Sequence, residues 1–441
     1  MKLASTLRPV WSRLHHSTAH PAPPKIQHTR PSSASSQSSS QQGGPSTSPS
    51  TPPDADIDIA AVRSEMLSRP RKAIHDVLSP MPSHLLSISL ADFLPGPCLP
   101  AHFPYAAFAS HPPSSSSSSS SSASASASLS NPRLPPLDGS PLPQGHHLVY
   151  FPLHLPPSAL CPDGTDPAHL PPLPAHTRRM WAGGSVSFAP DRWRDELRLG
   201  GGAGGIIRRA VCVEGIGDVS LRGGGDKDKV FVDLWRRYGA LPAEIGGGEG
   251  GGGVVPEEVL DRIVASPAIE ERRTLVFMRE DKKKDAAAGE PSSGRVVKET
   301  KLNDRDITAP YTPTSTLELL PSQTLLFHFS ALSYNAHGIH LDTQYARDVE
   351  GHRGLLVQGP LTLVLMFSAL RRELGGREAV REIEYRNLAP LYCGEKMRVC
   401  VRPNDKKGAA AGDGAQKWDV WIEGPDGGLA VKGVATSEPG V

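Results

Sequence analysis

The strongest constraint on the fold of this sequence is an apolar run in its C-terminal third. The segment 360–370 reads PLTLVLMFSAL, and its apolar side chains would cover nearly every side of a helix. Two arginines follow in what would be the last turn, and Gly375-Gly376 supplies a helix end. Because such a helix has no polar face to present to water, the rest of the fold must enclose it.

The sequence on either side of this helix predicts the elements that enclose it. Four segments after the helix have the alternating pattern of β-strands, and turn residues such as Pro425-Asp426-Gly427-Gly428 separate them. These strand segments are 380–388, 396–402, 417–423 and 429–436. Before the helix, Ser322 is placed to cap a shorter helix that carries Leu325 and Phe329. One buried helix wrapped by an antiparallel meander is an α+β arrangement.

A second group of strand candidates lies earlier in the chain. The segments are 146–151, 184–188, 206–213, 230–238 and 273–278. The glycine-rich stretches between them lack the strand-turn-helix spacing of a phosphate-binding loop. We therefore interpret these stretches as connections, and we expect a second sheet-forming half.

The start of the chain has the composition of a targeting segment. Residues 1–53 contain lysines and arginines but no acidic residue, and the apolar residues near the start fall at helical spacing. A basic, serine-rich amphipathic start predicts a mitochondrial transit peptide, with a disordered tail of chance composition as the alternative. We divide the chain into this transit and unstructured segment at 1–53, an N-terminal half at 54–299 and a C-terminal half at 300–441. A serine-rich insertion at 112–131 is predicted to be disordered.

Charge and cysteine usage disfavour several classes of function. Lys+Arg 47 against Asp+Glu 46 leaves no basic field for nucleic acid, so no nucleic-acid partner is expected. The five cysteines form no CxxC pair, so neither a disulfide framework nor a metal site is expected. No run of apolar residues approaches the length of about 18 that spans a bilayer, so we expect no membrane partner.

One segment before the long helix carries the residues of chemical interest. It runs from Ser333 to Asp342 and reads SYNAHGIHLD, and the helix itself is entered through Gln358-Gly359-Pro360-Leu361. Together with Ala389-Pro390-Leu391-Tyr392, these motifs resemble the MaoC-like (R)-specific enoyl-thioester hydratases. Within that group the chain is most similar to the fungal mitochondrial 3-hydroxyacyl-thioester dehydratases (type 2) and to the mesaconyl-type hydratases. The resemblance implies a double hotdog fold, in which each half is a curved antiparallel sheet around a long central helix.

The resemblance also assigns catalytic roles. It implies a hydro-lyase that removes water from a (3R)-3-hydroxyacyl thioester and gives the trans-2-enoyl thioester. His340 is the expected proton carrier, because a neutral imidazole can exchange protons near neutral pH. Asn335 stands where the family has Asp, and an amide can position water or hydroxyl but cannot ionise. Asp342 and His337 remain open as helpers. The alternative for Asp342 is to orient the loop or cap a following helix, and the alternative for His337 is a role as a turn residue.

The start of the long helix is the expected site for the thioester oxygen. With Pro360 as the first helical residue, the free N–H groups would be those of Gly359, Leu361 and Thr362, and the helix dipole favours negative charge there. Gln358 stands where the family has His, and we expect it to donate a supporting hydrogen bond. The Arg178-Arg179 pair is interpreted either as a phosphate contact or as exposed strand-edge residues.

The resemblance leaves the substrate open. The favoured substrate is a 3-hydroxyacyl group on acyl carrier protein or coenzyme A in fatty acid synthesis in the mitochondrial matrix. The alternatives are a mesaconyl-type hydratase of a small branched acyl-CoA, which would need a cation for the free carboxylate, and a non-catalytic thioester-binding protein. No cofactor is expected, and a homodimer is the alternative to a monomer.

Overall fold

Ten β-strands form the framework of the described chain. The structure is a computed structural model and describes residues 57–101, 103, 139–200, 208–242, 245, 254–279, 307–404 and 415–439. The strands are β1 (Lys72–Val77), β2 (Arg178–Phe188), β3 (Arg209–Arg222), β4 (Lys229–Ala240), β5 (Ile269–Met278), β6 (Ser315–Leu319), β7 (Glu378–Asn387), β8 (Met397–Pro403), β9 (Gln416–Glu423) and β10 (Leu429–Pro439). They join one antiparallel sheet in the order β1-β3-β4-β5-β2-β7-β10-β9-β8-β6.

This strand order consists of the same five-stranded pattern used twice. Read outward from the centre, the first half runs β2-β5-β4-β3-β1 and the second half runs β7-β10-β9-β8-β6. The halves meet where β2 pairs with β7, from Gly183 opposite Arg386 to Ser187 opposite Glu382. The double hotdog fold predicted from the sequence is thereby confirmed.

Two glycines allow β2 to pack closely against both of its neighbouring strands. A Cβ atom on Gly183 would lie 2.3 Å from the carbonyl oxygen of Tyr385, and one on Gly184 would lie 1.9 Å from that of Arg272. Their φ angles, +148° and +159°, are also ones that side chains seldom adopt. A larger residue at Gly183 would push β2 away from β7, and one at Gly184 would push β2 away from β5.

Six α-helices accompany the sheet in the described residues. They are α1 (Ile59–Leu67), α2 (Pro80–Ala91), α3 (Pro190–Glu196), α4 (Glu257–Ala265), α5 (Gln323–Ser333) and α6 (Gly359–Leu374). Helix α6 is the predicted apolar helix, and every residue from Leu361 to Leu370 is buried. It ends at Gly375 in a left-handed conformation (φ 58°), as the Gly-Gly pair predicts. Ser322 caps α5 by accepting a hydrogen bond from the N–H of Leu325, also as predicted.

The N-terminal half differs from the C-terminal half in its interior. The predicted strand at 146–151 is wrong, because residues His146–Val149 form a buried 3-10 helix. Gly145 (φ 90°) and Phe151 (φ 57°) turn the backbone at both ends, so the segment cannot extend although its residues favour a strand. The longest described helix of this half is α2, with 12 residues against the 16 of α6.

Some predictions fall on parts of the chain that the structure does not describe. The transit segment at 1–53 and the serine-rich insertion at 112–131 both lie outside the described residues. Within the described ranges, no helix has the length and apolar character needed to cross a membrane.

Candidate active site

A cavity of about 290 Å³ lies between the two hotdog halves, and both contribute to its walls. The C-terminal half supplies the segment after α5 and the start of α6. The N-terminal half supplies residues of β2, β3, β4 and β5 and of the loop before β2. Of the predicted site residues, His340, Asn335 and Gly359 line this cavity together, as does His337.

His340 is held in one orientation by a backbone hydrogen bond. It closes the single 3-10 turn Gly338–His340, and its Nδ1 lies 2.8 Å from the carbonyl oxygen of Leu356. Since a carbonyl only accepts, Nδ1 carries the proton and Nε2 is left as the basic nitrogen. Burial lowers the pKa of His340 to about 4, so the ring is neutral at physiological pH. The arrangement presents a neutral imidazole base.

Asn335 lies just beyond a sharp reversal at the end of α5. Tyr334 adopts a left-handed backbone (φ 53°), and the N–H of Asn335 donates to the carbonyl of Ser330 at 2.8 Å. The Oδ1 of Asn335 accepts the N–H of His337 at 3.1 Å. Because that partner is a donor, the orientation of the amide is fixed, and its NH₂ group is the part left for a ligand.

The start of α6 provides backbone donors beside the cavity. Gly359 is the first helical residue, one position earlier than predicted. The N–H of Thr362 is not free, because it donates to the carbonyl of Gln358 at 3.1 Å. Those of Gly359 and Leu361 have no acceptor among the described residues. A Cβ atom on Gly359 would lie 3.2 Å from Trp181, so glycine lets the N-terminal half pack directly on this helix end.

Three predicted site residues lie outside the cavity wall, and of these Leu361 is fully buried and contributes only its backbone N–H. Asp342 is exposed, and its Oδ1 accepts the N–H groups of Gln344 (2.8 Å) and Tyr345 (3.0 Å). This is a capping role, the alternative that the sequence analysis left open. Gln358 is fully buried, and its Nε2 donates to the carbonyl of Leu326 and to the hydroxyl of Ser330. It joins α6 to α5 and does not reach the cavity.

The N-terminal half holds the loop at residues 335–340 in place. The N–H of Gly338 donates to the carbonyl of Asp163 at 2.9 Å, and a Cβ on Gly164 would lie 2.1 Å from the carbonyl oxygen of Ala336. Arg178 makes a buried ion pair with Glu350 (3.0 Å), just beyond the loop.

The two arginines of β2 are less exposed than one of the two sequence interpretations expected. Both Arg178 and Arg179 are buried, so neither is an exposed strand-edge residue. Arg179 lies 3.6 Å from the Asp163 carboxylate and donates to the carbonyl of Asp166 at 3.1 Å. These contacts connect the pair to the loop assembly, and Arg179 also lines the cavity.

Charged side chains form much of the cavity wall from the N-terminal half. Besides Arg179, five such residues line the cavity, namely Asp166, His169, Glu214, Arg236 and Arg273. His169 lies between the two carboxylates, 2.8 Å from Glu214 and 3.6 Å from Asp166. We refer to these five residues as the charged wall.

Part of the charged wall has the composition of a metal site. The ligand atoms of Asp166, His169 and Glu214 all lie within 4.8 Å of one another. However, Lys72 bonds to the Asp166 carboxylate, and the guanidinium of Arg236 lies 3.3 Å from that of Glu214. Because both carboxylates already have cationic partners, the arrangement favours an ion-pair network over a divalent cation.

Comparison with known proteins identifies the family. The sequence profile described as "Hydroxyacyl-thioester dehydratase type 2" matches residues 145–238 and 255–393. Mesaconyl-C(4)-CoA hydratase of Chloroflexus aurantiacus is 30% identical over 315 residues, which cover 71% of this chain and 89% of that protein. The chain belongs to the hydroxyacyl-thioester dehydratase type 2 family. It is therefore an enzyme of the hydro-lyase class.

Other relatives match over shorter lengths. The mitochondrial hydroxyacyl-thioester dehydratase type 2 of Schizosaccharomyces pombe is 28% identical over 107 residues, or 23% of this chain and 36% of that protein. A MaoC-like dehydratase from Phytophthora capsici aligns with 86% of this chain and 97% of its own at 13% identity, with a TM-score of 0.47. The fold assignment rests on the strand order and not on this superposition.

The charged wall is the part of this family member's cavity that the sequence analysis missed. A signal was present in β4, where Leu234, Arg236 and Tyr238 share the buried face of an alternating strand. An arginine at an inward position of such a strand indicates a polar interior or a ligand. That pattern was interpreted only as a strand.

Proposed function

We propose that this enzyme catalyses the reversible dehydration of (3R)-3-hydroxyacyl thioesters to trans-2-enoyl thioesters. The observation that carries the proposal is the arrangement of His340 and the start of α6 around one cavity. His340 offers a neutral base with a fixed tautomer, while Gly359 and Leu361 offer free backbone N–H groups. These are the two components needed to form and stabilise an enolate.

In the dehydration direction, His340 acts first as a base. Its Nε2 takes the proton from C2 of the acyl group, and the electron pair of that bond moves onto the thioester carbonyl as an enolate. The protonated ring then returns a proton to the hydroxyl on C3 as the C3–O bond breaks, and water leaves. An imidazolium with a pKa of about 4 is a strong enough acid to favour this second transfer.

Backbone and amide groups stabilise the charges in this scheme. The N–H groups of Gly359 and Leu361 donate to the thioester oxygen as it becomes negative, helped by the positive end of the α6 dipole. The free NH₂ group of Asn335 donates to the oxygen that leaves from C3. Asn335 thus positions the hydroxyl without taking part in proton transfer, which His340 carries out alone.

Two acyl classes fit this reaction. One is the 3-hydroxyacyl group of fatty acid synthesis, on acyl carrier protein or coenzyme A, supported by the yeast mitochondrial relatives and by the acid-free N-terminal sequence. Mitochondrial location is part of this proposal. The other class is a small acyl group with a free carboxylate, supported by the 30% identical Chloroflexus relative and by the arginines of the charged wall.

Replacement of His340 by alanine tests the reaction. We expect hydration of crotonyl-CoA, followed at the absorbance of the enoyl thioester, to lose about a hundredfold or more in kcat. The matched control is His328→Ala, since His328 is exposed on α5 and outside the cavity. Activity of the His340 variant within a few-fold of the parent enzyme would overturn the mechanism and favour a non-catalytic thioester-binding protein.

A further inference from the structure

Arg236 is a buried cation with unused hydrogen-bond donors. Its side chain is only 6% exposed, yet it lines the cavity. Its Nε donates to the sulfur of Cys212 and its Nη2 to the carbonyl of Phe151, both at 3.3 Å. A guanidinium has five N–H donors, and the Nη1 group of Arg236 makes no hydrogen bond to any described residue.

Arg236 also lacks a carboxylate of its own. The nearest one belongs to Glu214, at 3.3 Å, and His169 lies closer to the same carboxylate at 2.8 Å. Arg236 therefore shares the Glu214 carboxylate with His169, and Lys72 bonds to the other carboxylate, that of Asp166. The Nη1 edge of Arg236 is therefore available to a ligand in the cavity.

Arg273 presents a second guanidinium edge beside Arg236. On the paired strands Arg236 is opposite Glu271, and Arg273 is two residues along β5 on the same face. Arg273 bonds to Glu271 through Nε (2.6 Å) and Nη2 (2.9 Å), and it stacks over Trp181 at 4.9 Å. Its Nη1 has no hydrogen-bond acceptor in the described part of the chain.

These groups disfavour one kind of acyl group and favour another. An alkyl chain against Arg236 and Arg273 would remove their remaining water without replacing its hydrogen bonds, and unpaired buried donors are costly. A carboxylate would accept the free N–H groups of both guanidinium groups with charge-assisted hydrogen bonds. The start of α6 packs on Trp181, so the thioester site and the stacked Arg273 adjoin the same side chain.

We propose that Arg236 and Arg273 form an anion-binding subsite that takes a carboxylate at the far end of the acyl group. The preferred substrate is then a short dicarboxylyl thioester, and the N-terminal half sets this preference. The inference rests on the proposed hydration reaction, because it places the acyl group in the same cavity.

A matched pair of substrates tests the subsite. Glutaconyl-CoA and trans-2-pentenoyl-CoA have the same chain length and differ in a terminal carboxylate against a methyl group. We expect the parent enzyme to hydrate glutaconyl-CoA with at least a tenfold higher kcat/KM. We expect Arg236→Gln to lower the ratio of kcat/KM for glutaconyl-CoA to that for pentenoyl-CoA by about tenfold, the equivalent of about 1.4 kcal/mol.

Two further variants make the test robust. Arg236→Gln leaves Glu214 without one partner and can impair folding, so the double variant Arg236→Gln/Glu214→Gln removes the pair together. Arg237→Gln is the control, because Arg237 is the next residue on β4, pairs with Glu270 (2.7 Å) and does not line the cavity. It should retain the full preference.

The possible outcomes distinguish failure of the anion-binding subsite from failure of the proposed reaction. If the parent enzyme hydrates both substrates equally or prefers pentenoyl-CoA, the anion subsite is wrong while the proposed reaction stands. The subsite is also wrong if the preference persists unchanged in both Arg236 variants. If neither thioester is hydrated, the proposed reaction itself fails.

Discussion

At the scale of single residues, one backbone carbonyl determines the chemistry of the site. The carbonyl of Leu356 fixes the tautomer of His340, and burial keeps the ring neutral. Asn335 is fixed in the same way, since the N–H of His337 occupies its Oδ1. Both side chains therefore present one defined group each to the cavity, a basic nitrogen and an amide NH₂.

Two replacements of Asn335 separate its local and catalytic contributions. Asn335→Asp keeps an acceptor for the N–H of His337 but loses the NH₂ donor, whereas Asn335→Ala loses both. We expect kcat on crotonyl-CoA to fall roughly tenfold in each, the equivalent of about 1.4 kcal/mol for one hydrogen bond in the transition state. Thermal melting should show that only the alanine variant loosens the loop. Unchanged kcat in Asn335→Asp would argue against the donor role.

At the scale of elements, the start of α6 depends on close packing with β2. Trp181 cannot move away from Gly359, because its Nε1 donates to the carbonyl of Gly183 (3.0 Å) and to the hydroxyl of Tyr385 (2.9 Å). Asn387 donates to the carbonyl of Trp181 at 2.8 Å. The helix end that offers its N–H groups to the cavity is thus fixed by a side chain from the other half.

A methyl group at Gly359 should disturb this packing. Gly359→Ala places a Cβ 3.2 Å from Trp181, so we expect a loss of about 1–3 kcal/mol in the free energy of unfolding from overpacking, together with reduced kcat. Urea denaturation and crotonyl-CoA hydration measure the two effects. Gly354→Ala is the control, since a Cβ there meets nothing within 4 Å. Equal stability of both variants would show that the contact is not tight.

Sequence patterns predicted the elements whose structure is decided by a local feature, such as a run of apolar residues. Helix α6 and its Gly375 end followed from an apolar run and a glycine pair, because burial and helix termination act locally. The 3-10 helix at His146–Val149 was missed, since positive φ angles at Gly145 and Phe151 override strand propensity. The resemblance led to His340 and Asn335, whereas the charged wall depends on contacts such as Glu214 with Arg236, which lie on different strands.

At the scale of the whole molecule, buried histidines link stability to pH. Burial lowers the pKa of His147, His340 and His352 to about 4 in each case, and that of His337 in the same direction. In the unfolded chain these histidines have a pKa of about 6.5. Between about pH 6.5 and about pH 4 the unfolded state binds protons that the folded state does not. The free energy of unfolding therefore decreases as the pH falls.

This linkage predicts the direction and the range of the effect. The free energy of unfolding should be greatest above about pH 6.5 and should fall toward pH 4, by up to roughly 3 kcal/mol for each histidine. Urea titrations followed by circular dichroism at about pH 7.5, 6.5, 5.5 and 4.5 measure this change in the free energy of unfolding. His147→Leu should show a shallower dependence, because His147 is fully buried. A free energy of unfolding that stays constant between about pH 7.5 and 5 would contradict the lowered pKa values of these histidines.

The repeated strand pattern has a consequence for how this enzyme can change over time. The proposed proton carrier, His340, lies in the second half, whereas the charged wall lies in the first half. A protein assembled from two identical chains would have to encode both duties in one sequence. Here substitutions in the first half of the gene can alter which acyl groups are accepted while the codons for the reaction chemistry stay untouched.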